Sequence, residues 1–448
     1  GTLAGGLGPE PAGGYTALES GRPGAGPRPA DIWPEPVRRE PARLTRFSDG
    51  PGAASDGRAA AWPVTPSGPG GRSRLMLQAD ANILITGATG LIGGEFVRRL
   101  AREHAGQVYC LVRPRPGIDP QRRLAERLGD VPDSDPPARG LRPIALAGDV
   151  TAGRLGLSDD DLRLVTRCVD VVLHCASELS FIREESCRRT NIAGMRHLID
   201  LVGRCRRSPR IVHVSTATVC GNAVNRNVLE SQDARDDDAH HNEYTRSKLA
   251  AEQVLRASGL PALVIRPSIV LSAELPSPDF ARAILWFLPL LNAFDAVPVD
   301  PEARVDVVPV SFVVASMLAL MRAPRLEHDC YHVSAGQAGA TRCGEVAAFL
   351  DRYYRRTAPL RLVPPRQWTA AEHRRHVDTP ERRRSFGTLR HYLPFLNMNV
   401  TYDNGRLRTA LGGALPPVRP VTDYLTGLLD LLTPALQASG ALAARRAG

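Results

Sequence analysis

Lysine is almost missing from this chain: of the 57 lysines and arginines in its 448 residues, 56 are arginine and one, Lys248, is lysine. The formal charge of +10 therefore comes from arginines scattered along the chain. No basic stripe of the kind that lines a nucleic-acid groove is gathered, so no nucleic-acid partner is expected, while affinity for small anionic molecules fits. Cysteine pairs are missing too. The eight cysteines, at 110, 168, 175, 187, 205, 220, 330 and 343, include no CxxC, and several sit in apolar runs. They read as reduced thiols of a cytoplasmic protein, with neither a disulfide framework nor a metal centre. No apolar run approaches the ~18 residues needed to cross a bilayer. No leader pattern is visible, and an opening glycine fits a processed chain or a piece of a longer one. What is present, 43% apolar residues over this length, suffices for two or three domains or one large α/β domain with additions.

The one lysine closes the stretch YTRSK at 244–248. Arginine's planar fork does not replace a compact ammonium that must sit close to a reacting group. Four residues apart on a helix, Tyr244 and Lys248 share a face, roughly 5–6 Å apart at Cβ. A cation there is expected to lower the phenol's pKa and ready Tyr244 for proton transfer near neutrality. YxxxK ordinarily means a surface tyrosine and a solvated lysine; the isolation of this lysine weighs against that.

Residues 1–78 are rich in Gly, Pro, Ala and Arg without apolar periodicity, and read as a disordered arm or linker containing the isolated Trp33 and Trp62. Order begins with NILI at 82–85, a buried parallel strand, followed by TGATGLIG at 86–93 and a helical pattern over 95–102. Strand, glycine turn and helix in this order form a dinucleotide-binding fingerprint, here spaced GxxGxxG. Gly87, Gly90 and Gly93 allow the tight turn and close approach of pyrophosphate, with Thr89, Leu91 and Ile92 beside them at the helix N-terminus. A second strand over 107–112 leads to Arg113, 20 residues past Gly93. An acidic residue at that place would hold a ribose 2′-hydroxyl, whereas arginine accommodates a 2′-phosphate. Arg113, with Arg115 nearby, thus points to NADPH; its rival is one more solvated arginine.

A Pro- and Arg-rich insertion with a short helix fills 114–140. The third strand, 144–150, ends at Asp149, placed to accept from an adenine amino group, and Val150. The fourth, 169–177, carries His174, Cys175 and Ala176 to its carboxyl end, where such sheets put ligands, and these read as packing against cofactor. A helix over 191–203 and a fifth strand over 210–216 follow, the strand ending in the hydroxyls of Ser215 and Thr216. Then come an acidic loop over 233–241, read as solvated, the Tyr244 helix, and a sixth strand over 262–267 closed by Pro267. This alternation predicts an α/β fold, a doubly wound parallel sheet.

TGATGLIG, Asp149, the run from His174 to Ala176, Asn191, STATVCG at 215–221, YTRSK and the Arg266–Pro267 pair together resemble the extended short-chain dehydrogenase/reductase superfamily over roughly residues 80–335. VYCLVR, VHVSTATV, YTRSKLAAE, VIRPSIV and the segment from Tyr392 to Arg406 are similar to fatty acyl-CoA reductases and thioester reductase domains. The resemblance implies a Rossmann sheet with a smaller, mostly helical C-terminal substrate-binding part. It implies that Thr216 hydrogen-bonds the substrate carbonyl with Ser215 lining the pocket, that Tyr244 donates the proton, and that Lys248 binds the nicotinamide ribose and tunes Tyr244. Pro267, Cys175 and Ala176 fall at positions that border the cofactor. Asn191 departs little from the family pattern. Sugar-modifying relatives carry VYG where this chain has Cys220 before the glycine, which leans away from nucleotide sugars.

The expected organisation is an arm over 1–78, an NADP-binding domain over 79–270 completed by 305–335, and a substrate part from 271–304 and 336–448. The apolar run at 283–291 reads as core, and also suits an acyl-chain wall or an amphipathic lid on a membrane surface. Residues 306–310 are expected to return the chain to the sheet, with helices over 311–322, 345–356 and 421–432. A basic stretch over 374–384 suits the phosphates of coenzyme A or phosphopantetheine, or an acidic carrier protein, and equally a solvated helix face. The expectation is an NADPH-dependent reduction of an acyl-CoA or acyl carrier protein thioester to the aldehyde, with the alcohol as a further product. The rivals are an extended-family enzyme acting on a nucleotide sugar or sterol-like alcohol, and a non-catalytic NADP sensor.

Overall fold

The computed structural model describes residues 77–129, 142–181, 183–231, 240, 242–271, 285 and 287–438. The arm with Trp33 and Trp62, except its last two residues, lies outside these. So do 130–140 of the arginine-rich insertion, the acidic loop apart from His240, and residues 272–284 and 286 of the apolar insertion.

Seven parallel strands make the central sheet: β1 (Ile83–Thr86), β2 (Val108–Val112), β3 (Ile144–Ala147), β4 (Val171–His174), β5 (Arg210–Val214), β6 (Ala262–Pro267) and β7 (Cys330–Val333). Across the sheet they run β7-β6-β5-β4-β1-β2-β3, so the order reverses between β1 and β4. That reversal opens a crevice at the carboxyl ends, the place where such sheets bind ligands. The strands are apolar on both faces because both are covered. Ile83, Ile85, Leu173, Val212, Leu263 and Ile265 pack toward α1 (Leu91–Glu103) and α6 (Val310–Arg322). Their alternates Leu84, Val172, Ile211 and Val264 pack toward α3 (Asp159–Cys168), α4 (Gly194–Val202) and α5 (Glu243–Ala257). Helix α2 (Pro120–Leu128) lies beside β2 and β3.

Several boundaries differ from those expected, each for a local reason. Helix α1 begins at Leu91 instead of 95, although glycines at 93 and 94 are poor helix formers. A Cβ on Gly93 would lie 2.3 Å from the carbonyl oxygen of Gly87, so packing on the glycine turn overrides propensity. The chain leaves β3 at Gly148, three residues earlier than expected, where a Cβ would lie 2.5 Å from the side chain of Leu111. The helix expected from 191 starts earlier, running from Glu184–Cys187 through a π-helical turn, Arg188–Ala193, into α4. Residues 307–309 do not join the central sheet, a correction to the expectation for 306–310. Val307–Pro309 pairs with Ile269–Leu271 in a separate parallel ribbon, and β7 takes the edge place instead.

The C-terminal half is built from α7 (Cys343–Tyr353), α8 (Ala370–His376), α9 (Pro380–Leu389), α10 (Leu393–Asn397), α11 (Gly405–Leu411) and α12 (Leu425–Ala438). Phe287, Leu288, Leu290, Leu291 and Phe294 form its core with α7, α9, α10 and α12, so the described part of the apolar run is core. Two buried carboxylates fasten this half to the sheet. Glu230 accepts from the backbone N–H of His332 at 2.9 Å and of Arg406 at 2.6 Å, and Asp306 from those of Ala335 at 2.8 Å and Tyr402 at 3.2 Å. Paired in this way, buried acceptors hold two chain segments in one geometry. Among the described residues no helix is long and apolar enough to cross a membrane.

Candidate functional site

The glycine turn is shaped by contacts that exclude side chains. Gly87 has φ +72°, and a Cβ there would lie 2.6 Å from the backbone nitrogen of Ala176 and 2.7 Å from the carbonyl carbon of Cys175. The turn after β1 is thus pressed against the end of β4, which places Cys175 and Ala176 on the crevice floor. Gly90 caps α1 and offers no side-chain acceptor to the first-turn N–H groups of the helix around Leu91 and Ile92. Those donors and the helix dipole are what a pyrophosphate needs. Arg127 of α2 donates 2.9 Å to the Thr89 carbonyl and buttresses the turn from outside. The cradle fits a dinucleotide.

At the end of β2, Arg113 is largely exposed and its Nε lies 3.0 Å from Asp149 Oδ2. Asp149 also accepts from the backbone N–H and the hydroxyl of Thr151, both at 2.9 Å. The structure therefore brings Arg113, Asp149 and the adjoining Val150 together beside the glycine turn. Arg115 instead pairs through its backbone with Ile118 in a small exposed turn.

On the other side of the crevice, Asn242 caps α5 by accepting from the Thr245 N–H at 3.0 Å. This sets Tyr244 and Lys248 on the helix face turned to β5. The Thr216 hydroxyl acts on the Tyr244 phenol from the end of β5, and Thr216 Oγ1 is hydrogen-bonded to the Thr218 hydroxyl at 2.9 Å. Ser215, the first residue past β5, is buried and donates its N–H to Ile265 at 2.7 Å. Pro267 closes β6 beside Val333 of β7.

Lys248 departs from expectation. Its ammonium, 2% exposed, donates 2.7 Å to the Val214 carbonyl and stands 3.4 Å from His213 Nε2. Burial lowers Lys248 to about 8, the Glu252 carboxylate acting the other way. Tyr244 is pushed up to about 12 by burial, against the opposing pull of the Thr216 hydroxyl. The expected lowering of the phenol's pKa by a neighbouring cation is therefore not found: desolvation of the phenolate dominates, and Lys248 is not among the groups that shift it. At neutral pH Tyr244 is a protonated donor.

Beneath these residues lies a buried polar floor. His174 Nδ1 is 2.7 Å from the Thr86 hydroxyl, and the His174 and His213 rings stack at 5.3 Å. Asn191, in the π-helical turn, holds the loop after β4 to α5: its amide donates to the Glu178 carbonyl at 3.1 Å and the Ser247 hydroxyl at 2.8 Å. That satisfies Asn191 structurally. One turn along α5, Glu252 and Arg266 form an ion pair with side chains 0% and 1% exposed.

Outward from Tyr244 the structure gathers aromatics that sequence reasoning did not assemble. Phe181 lies 6.3 Å from the Tyr244 ring, 6.0 Å from Tyr392 and 5.1 Å from Phe395, and Tyr392 stacks on Phe287 at 5.1 Å. All but Phe287 are half-buried. With aromatics only 5% of the chain, this concentration marks a wall. The sequence signal available was the Tyr392–Phe395 segment; nothing in it indicated Phe181.

A parallel sheet reversing at β1/β4, a glycine turn and a Tyr-x-x-x-Lys helix over β5 define an extended short-chain dehydrogenase/reductase. The comparison with family models narrows this further. The chain belongs to the male sterility protein family of NAD-binding domains, whose model matches residues 85–317, and so takes a nicotinamide dinucleotide. It is similar to fatty acyl-CoA reductase 1 of Xenopus laevis, 29% identical over 278 residues, covering 53% of this chain and 54% of that protein. With fatty acyl-CoA reductase 1 of Rattus norvegicus it shares 28% identity over 328 residues, 63% of each chain. The chain thus spans between half and two thirds of these relatives. In fold it is similar to the terminal R domain of the myxalamid PKS-NRPS pathway (TM-score 0.65, 23% identity, 83% of this chain and 94% of that one). The reductase domain of a Mycobacterium tuberculosis nonribosomal peptide synthetase is also similar (TM-score 0.57, 22% identity, 81% and 92%).

Proposed function

We propose that this chain reduces a fatty acyl or related thioester, presented on coenzyme A or a carrier protein, to the aldehyde with NADPH. The observation that carries the chemistry is the placement of the Tyr244–Lys248 helix over the carboxyl end of β5, where Thr216 follows Val214 and the Lys248 ammonium meets the Val214 carbonyl. The names of the curated relatives support the substrate class. Held at the glycine turn and by Arg113, the dinucleotide would supply hydride to the thioester carbonyl carbon. Thr216 and Tyr244 hold the oxygen as negative charge develops there, and Tyr244 passes it a proton. The resulting hemithioacetal breaks its C–S bond, the hydroxyl proton goes to sulfur, and aldehyde and thiol leave. Ser215 lines the same pocket, and Lys248, docked on Val214 and His213, is assigned the nicotinamide ribose through the one N–H those two acceptors leave over. We assign the acyl side to the wall of Phe181, Tyr392 and Phe395, and with it to the C-terminal half. The eight free thiols support a cytoplasmic setting.

The preference for NADPH rests on Arg113. Exposed and held by Asp149, its guanidinium stands ready for a 2′-phosphate. Arg113→Ala is expected to raise KM for NADPH by roughly ten- to a hundredfold, the worth of one charge-assisted hydrogen-bond set. KM for NADH should move little. Equal effects on both cofactors would remove Arg113 from 2′-phosphate recognition.

The reaction itself is tested by following NADPH absorbance with a panel of acyl-CoA and acyl-carrier thioesters, with aldehyde and alcohol analysed as products. Oxidation with none of them, and turnover of a nucleotide sugar or sterol-like alcohol instead, would replace the reading with its rival.

A further inference from the structure

The buried pair His174–His213 takes no part in the chemistry above, yet it underlies the only lysine in the chain. His174 on β4 and His213 on β5 stand opposite each other in register, both 1% exposed, with rings 5.3 Å apart and 24° from parallel. His174 is tied to Thr86, the residue before Gly87, which also accepts from the Ala176 N–H at 3.3 Å. His213 Nε2 faces the Lys248 ammonium at 3.4 Å. An ammonium has only donors, so Nε2 must be the acceptor and His213 must carry its proton on Nδ1. Both rings are held neutral by burial, which lowers His174 to about 3 and His213 well below its ordinary value.

We infer that His213 is a positioning residue that holds the Lys248 ammonium charged and docked on the end of β5, with His174 fixing the ring from below. A buried ammonium needs acceptors to stay charged. Here they are the Val214 carbonyl and His213 Nε2, both from β5. The other groups facing Lys248 are Glu252 on its own helix and Cys175 past β4, both favouring the charge. His174 on β4 and His213 are neutral, and Arg266 on β6 acts on His213. Without His213 the carbonyl would remain as the strong partner, and the ammonium would give up its proton at lower pH and lose its fixed place.

A one-lysine chain allows a direct test. Protein labelled with 13Cε-lysine gives one lysine resonance, whose pH midpoint reports Lys248 without any substrate; near 8 is expected for the unaltered protein. His213→Phe, which keeps a ring and removes the acceptor, should lower that midpoint by about one pH unit. His213→Gln, which restores an acceptor, should return most of the shift. Where the phenylalanine variant does not fold, the strand-compatible His213→Val is read in the same way. An unmoved midpoint in a folded apolar variant overturns the inference. So does an equal shift in the apolar and glutamine variants, since ring packing would then be responsible. A matching shift in the alkaline limb of kcat/KM is the consequence that rests on the proposed reaction. The titration does not rest on it, so a chain inert toward thioesters would leave it intact.

Discussion

Tyr244→Phe is expected to lower kcat for thioester reduction by about 10^2- to 10^4-fold, the usual contribution of a positioned general acid, while dinucleotide affinity stays close to that of the unaltered protein. The change removes one hydroxyl and leaves the ring that faces Phe181 at 6.3 Å. Lost turnover with retained binding would therefore report proton donation rather than collapse of the aromatic wall. The pH profile discriminates further. With the phenol at about 12 and Lys248 at about 8, an alkaline limb of activity is expected near pH 8 and is assigned to the lysine. Residual turnover in Tyr244→Phe should keep that limb. A limb that disappears with the hydroxyl would mean that the phenol titrates there, as the motif alone suggests. Activity within twofold of the unaltered protein would remove Tyr244 from the chemistry.

That reversal between motif and structure shows where sequence reasoning reaches its limit. Six strands of the sheet were legible because each is a short apolar run bounded by Gly, Pro or polar residues and followed by helical spacing. The seventh, Cys-Tyr-His-Val at 330–333, is a four-residue run broken by His332 and does not stand out. Val307–Pro309 is a comparable run, and nothing local says which partner it will choose. At the site, Gly87, Gly90 and Gly93 in one turn and Tyr244 and Lys248 on one helix could be singled out because spacing along one element decides their relation, whereas Thr216 came from the family resemblance. The direction of the Tyr244 shift could not. It depends on how deeply the phenol is buried and on an ammonium turned toward the Val214 carbonyl, and both are tertiary facts. Phe181 meets Tyr392 and Phe395 across more than two hundred residues of chain, so no pattern within one segment brings them together. The same holds for the stacked histidines: His174 reads from its strand as packing against cofactor, and its pairing with His213 emerges only when the two strands are placed side by side.

The largest stability effect is expected one helical turn beyond Lys248. Glu252 on α5 receives Arg266 of β6 through Nε at 3.0 Å to one carboxylate oxygen and 3.2 Å to the other, and through Nη2 at 2.5 Å. Neither side chain meets solvent. Two charges in such a place are costly to desolvate, and only close, multiple hydrogen bonds offset the cost. Glu252→Ala leaves the guanidinium without its carboxylate and should lower unfolding free energy by about 3–5 kcal/mol, measured by denaturant titration with the slope compared to the unaltered protein. Replacing both residues with leucine removes both buried charges, and should recover most of the loss. The carboxylate also supports the charge on Lys248, so Glu252→Gln should lower the lysine midpoint even where the fold survives. A cost below about 1 kcal/mol for Glu252→Ala, the range of surface pairs, would show that Arg266 finds its compensation elsewhere. The lysine's neighbourhood would then have to be rebuilt around that other partner.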